Sequence, residues 1–293
     1  TNTGVSGHIA IGKNAMYTSN GASQSNVAIG LYAMHSATTA GDCIAIGERA
    51  LDDLTDGTAN IAIGRYVGGD ITGGNSNVCI GSNAGGAITT GNGENVCIGN
   101  NCAAAMTTAQ QNILIGDNCA AGGVVTGNTN TIIGDNAGYA LTTGANNTAV
   151  GSGTLAAVTT GYTNVAFGVA SLDACTTGAQ NTALGYNCLG ALTTANNNVA
   201  VGYSVLAANT SGTLNAGLGL NTLIANTTGS NNVAMGYAAL GSNTSANDNT
   251  ALGYMAMYSN TTGAQNVAIG HVALDGNTTA SNNVAVGYNA MGA

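Results

Sequence analysis

The chain has no proline, no tryptophan, one phenylalanine and only three basic residues among 293. Lys13, Arg49 and Arg65 cannot line a phosphate backbone, and a net charge of −9 repels one, so nucleic acid and anionic membrane surfaces are excluded as partners. Charged residues make up 5% of the chain, so solubility has to come from Asn, Thr and Ser. No run of about 18 apolar residues occurs, so no membrane span is expected. The sequence opens at Thr1 without a signal-peptide pattern, as a mature product or an excerpt would.

Catalytic and metal chemistry are missing as well. His8, His35 and His271 are far apart and none has a partner at ligand spacing. Asp52, Asp53 and Asp56, and the pair Asp117 and Asp135 beside Asn118 and Asn136, lack a calcium-loop spacing and read as solvated loops. The seven cysteines follow neither a disulfide framework nor zinc spacing, and read as small buried hydrophobes. The expectation is a protein that is not an enzyme and holds no metal or cofactor.

What the chain does have is a repeat. Variants of TTGAQNVAIGHVAL (residues 261–274) recur with a glycine marker at Gly12, Gly30, Gly47, Gly64, Gly81, Gly99, Gly116, Gly134, Gly151, Gly168, Gly185, Gly202, Gly219, Gly236, Gly253, Gly270 and Gly287. The markers are 17 residues apart thirteen times and 18 apart three times. So short a fixed period predicts an all-β parallel solenoid, a β-roll of seventeen coils in one uncapped domain spanning 1–293.

Each column of the repeat then has a physical reading. Directly before the marker stands an apolar residue in all seventeen coils, and three before it mostly Val, Ile or Thr. These two columns share one strand face and are expected to form the buried spine. The marker is expected at a corner whose backbone excludes a Cβ. Four before it stands Asn in fifteen coils, among them Asn26, Asn60, Asn112, Asn164, Asn198, Asn232, Asn266 and Asn283, with His8 and Cys43 as the exceptions. Stacked amides of this kind predict an asparagine ladder.

After the marker, a small residue and then Leu or Met (Ala50 and Leu51, for example) read as a second strand. Two before the marker the residue is Ala, Cys or Gly in fifteen coils. Alternation points that row away from the spine, so a sister chain is expected to approach it about a symmetry axis. The alternative is that a three-sided coil tucks the row into its own interior.

NVAIG (Asn26–Gly30 and Asn266–Gly270) and NVAVG (Asn198–Gly202 and Asn283–Gly287), each with Ala three residues on, resemble the head repeats of YadA-like trimeric autotransporter adhesins. NTALGY (Asn181–Tyr186) is similar to runs in tail-fibre proteins of marine bacteriophages. The resemblance implies a left-handed β-roll, three chains around one axis, and a structural or attachment role outside the cell or on a virion surface. The period is longer than that of the adhesin family, and these 293 residues contain no coiled-coil or membrane-anchor pattern.

The function expected is therefore a rigid extracellular fibre built from copies of the chain. Placing the last residue before the first gives a marker spacing of 18, so head-to-tail stacking into a filament is one route. Two alternatives remain, a glycan-binding attachment fibre and an ice-binding solenoid. For glycans the candidates are Tyr186, Tyr203, Tyr237, Tyr254 and Tyr288, each directly after a marker. Asn209, Asn226, Asn243, Asn260 and Asn277 form a row of glycosylation sequons, joined elsewhere by Asn146.

Overall fold

A computed structural model describes residues 7–19, 25–89 and 93–292, so the joined chain ends lie outside the described residues. The fold is an all-parallel β-solenoid with one short strand per coil and no helix among the described residues. The chain divides into two compact units, Thr1–Asn147 and Thr148–Ala293. The first carries β1 (Ile9–Ile11) to β8 (Thr131–Ile133), and the second β9 (Thr148–Val150) to β17 (Val284–Val286). Within each unit consecutive coils pair in strict register: Ile44, Ala45 and Ile46 lie opposite Ile61, Ala62 and Ile63. Likewise Gly185 and Tyr186 lie opposite Gly202 and Tyr203.

Most strands have only three residues, yet hydrogen bonds between coils continue around the turns. In the third coil Arg49 donates its N–H to the Leu31 carbonyl of the coil before, and Leu51 donates to the Val67 carbonyl of the coil after. Both residues sit in the left-handed region, at φ 55° and 52°. Alternating hand along the turn swings successive peptide groups up and down the stack, which satisfies backbone that a tight corner would otherwise orphan. This is why Leu and Met, which rarely adopt positive φ, do so in coil after coil. The segment after the marker is therefore turn, and the second strand expected there does not form.

The core is also on the other side of the strand from the expected spine. Ala28, Ala45, Ala62, Cys97, Ala149 and Ala183, all two before the marker, are fully buried. The Val/Ile columns flanking them are half-buried or exposed, with Ile46 at 36%, Val199 at 43% and Met235 at 50%. The coil tucks the small-residue row into its own interior.

The physical reason is volume. The interior is shared with the Leu/Met column four after the marker, represented by Met34, Leu51, Leu155 and Leu189, and alanine leaves room for it. Where that column shrinks to Gly85, Ala103, Ala120 and Gly138, the strand residue grows to Cys79, Cys97, Leu114 and Ile132. A Cβ on Gly138 would lie 2.8 Å from Ile132 Cδ1. Ile71, Ile88, Met106 and Leu141, seven after the marker, fill what remains.

Candidate functional site

The polar side chains stack into two buried amide ladders and a hydroxyl row nearer the surface. In most rungs of the first ladder the Oδ1 accepts from the next coil twice, as at Asn181 and Asn198. Asn198 donates its backbone N–H at 3.0 Å and its Nδ2 at 3.2 Å to Asn181 Oδ1, and its Nδ2 also reaches the Gly212 carbonyl at 3.0 Å. Asn26, Asn60, Asn112, Asn164, Asn198, Asn232 and Asn266 are all buried, and Asn283 half-buried. Among the threonines, Thr55, Thr176, Thr227 and Thr261 each donate Oγ1 to the carbonyl of the equivalent threonine one coil on.

The two departures from the ladder keep part of its chemistry. His8 Nδ1 accepts the Asn26 N–H at 3.2 Å. The Cys43 N–H donates to Asn26 Oδ1 at 2.9 Å, and Cys43 Sγ receives the Asn60 N–H at 3.4 Å. Burial pushes the Cys43 thiol above its ordinary pKa, so it stays neutral and is a weak acceptor. Asparagine at 43 would add a second, side-chain donor to Asn26 Oδ1 and reach the Gly57 carbonyl, which the thiol approaches at 3.6 Å. Cys43→Asn is expected to stabilise the chain by about 1 kcal/mol, read as a higher urea midpoint; a lower midpoint would show that Cys43 is retained for packing.

The sequon row occupies an interior column. Asn209, Asn226, Asn243 and Asn260 are fully buried and form the second ladder, with Nδ2 to Oδ1 distances of 3.0, 2.8 and 3.1 Å. Each Nδ2 that would carry a glycan is enclosed and hydrogen-bonded, so these four are not modification sites of the folded chain. Asn277 is half-buried and donates to Asn260 at 2.9 Å, while Asn146 is exposed.

The tyrosines stand outside. Tyr186 stacks on Tyr203 with centroids 5.1 Å apart, and Tyr237, Tyr254, His271 and Tyr288 form a second stack at 5.1, 4.9 and 5.3 Å. Leu220 occupies the same column between the two stacks. Rings stacked this way cover one another's faces and present edges and hydroxyls to a ligand.

At the corner, the marker glycines have φ between 110° and 147°. This range includes Gly12, Gly30, Gly47, Gly134, Gly202, Gly270 and Gly287. All seven cysteines are free and buried, and burial raises the Cys175 thiol to about 11. Among the described residues no three of His, Cys, Asp or Glu converge as a metal site, and no helix is long and apolar enough to cross a membrane. The chain matches no protein-family model and no curated protein.

Proposed function

We propose that the chain is a structural element of an extracellular fibre, assembled by lateral association of copies through the two Val/Ile columns of its strand face. The observation that carries this reading is their exposure. Ile46, Ile63, Phe167, Leu184, Leu218, Val233 and Ile269 are all more than a third exposed, and neither column contains a charge. Over the nine strands of the second unit the strip extends roughly 40 Å at the spacing of paired strands. A continuous, uncharged apolar strip of this kind is the surface character that marks a protein–protein contact.

A second copy fits best because the side-chain ridges repeat at the coil pitch, and only a surface with the same pitch meets them over many coils. A shallow cavity of about 260 Å³ on this strip, where Ala216 interrupts the larger side chains, gives the register a landmark. The ladders support a stiff assembly, since within each unit they tie successive coils together by side chain as well as backbone.

The test is molar mass by light scattering with negative-stain electron microscopy. The wild-type chain is expected to be oligomeric. Leu218→Lys with Met235→Lys is expected to reduce it to a monomer with unchanged circular dichroism, because both side chains are already solvent-exposed and their replacement orphans no buried group. A monomeric wild type, or a variant of unchanged mass, would reject the association face.

A further inference from the structure

We propose that the pocket beside Tyr66 is a binding site for one neutral six-membered sugar ring. The pocket holds about 300 Å³ and is lined by Tyr66, Gly69, Asp70, Asn83 and Gly86. That volume is at the lower limit of small-molecule sites, enough for a single ring. It lies in the first unit and uses none of the stacked tyrosines or the Val/Ile strip.

Its floor comes from two successive glycines in a variable column. Five residues after the marker, the first three coils carry Tyr17, His35 and Asp52, and the next two carry Gly69 and Gly86. Gly86 has a backbone explanation, since a Cβ there would lie 2.6 Å from the Ala104 carbonyl oxygen. Gly69 has none. Its φ lies outside the left-handed region, and a Cβ would meet only the Tyr66 carbonyl oxygen, at 3.6 Å. The fold would accept a side chain at 69, as it does at His35 and Asp52, so the glycine keeps the space beside Tyr66 open.

The wall is held in place. Arg65 Cζ lies 4.7 Å from the Tyr66 ring centroid and Arg49 Cζ 5.8 Å from it, and Arg65 is tied to Glu48 at 3.2 Å. A ring braced by two guanidinium groups loses little freedom on binding. The polar groups suit a polyol. Asp70 is exposed and offers carboxylate oxygens to vicinal hydroxyls. Asn83 donates Nδ2 to Asn101 Oδ1 at 3.2 Å, while its own Oδ1 borders the Gly86 floor as an acceptor. An aromatic wall with two acceptors matches a ring that has an apolar face and hydroxyl donors at its rim. The Asp70 carboxylate selects against an acidic sugar.

The experiment is saturation-transfer-difference NMR of the full chain with the methyl glycosides of glucose, galactose and mannose. At least one is expected to bind in the millimolar range. Gly69→Leu fills the pocket, and Tyr66→Asn removes the ring while keeping a residue that tolerates the left-handed backbone there (φ 55°). Each is expected to weaken binding about tenfold or more with unaltered circular dichroism. No transfer from any of the three glycosides, or equal transfer to wild type and both variants, would overturn the proposal. Should Gly69→Leu fail to fold, Tyr66→Asn decides. Oligomeric mass is unaffected by either variant, so this test and that of the association face are independent.

Discussion

An Asn232→Leu chain is expected to unfold at a clearly lower urea concentration than wild type, with a loss of about 1–3 kcal/mol. Asn232 Oδ1 accepts the Asn249 N–H at 3.1 Å, and its Nδ2 donates to Asn215 Oδ1 at 3.1 Å and the Ala246 carbonyl at 2.8 Å. Leucine has nearly the same shape, so the packing term is small. What it leaves is the buried Asn249 N–H without a partner, at about 1–3 kcal/mol, while the Ala246 carbonyl keeps the Asn243 Nδ2 donor at 3.2 Å. Asn215 Oδ1 still receives the backbone N–H of residue 232 at 3.0 Å, which limits the damage on that side.

The same change at Asn209 is expected to cost less. Its column carries Leu192 one coil earlier, and Val158, Leu141 and Ile88 in coils before that, so leucine already fits there. Equal losses at 232 and 209, or none at either, would mean that the amides fill space and the hydrogen bonds contribute little.

The repeat, the parallel solenoid and the amide column were legible because each depends on recurrence, and recurrence is visible without coordinates. The facing of the strand was not. In a three-residue strand such as Val78–Ile80, alternation offers two parities, and hydrophobicity alone favours turning Val and Ile inward over one alanine or cysteine. The deciding signal was present in the exchange of volume between Cys79 and Gly85 or Ile132 and Gly138, but it requires knowing that these two columns meet.

The left-handed leucines were invisible for a different reason. Nothing in the side chain of Leu51 prefers φ 52°; the backbone bonds to neighbouring coils impose it. Asn226-Thr-Thr reads as a sequon in any chain, and only its enclosure beneath the coil surface changes the reading. Tyr66 was not legible as part of a pocket because its partner there is an absence, the missing side chain at 69.

Gly64→Ala is the more disruptive of two one-carbon changes whose difference isolates what the marker does. At Gly64 φ is 141°, and an added Cβ would lie 2.6 Å from the carbonyl oxygen of Gly81, the marker one coil on. Neither atom can yield. The oxygen belongs to backbone whose own corner has φ 126°, and the Gly81 N–H is bound to the Ile63 carbonyl at 2.9 Å. The clash and the disallowed backbone together are expected to cost about 3–5 kcal/mol.

Gly153 supplies the comparison, with φ 64° and nothing within 4 Å of its ideal Cβ. Alanine there meets only the ordinary left-handed cost of about 1 kcal/mol, partly offset by the reduced freedom of the unfolded chain. Parallel urea titrations of the two variants therefore separate backbone conformation from contact between coils. A wide gap identifies the marker as the point where successive coils touch backbone to backbone. A narrow one would mean that the corner opens to admit a methyl group, and that the coil spacing is set by the amide ladders instead.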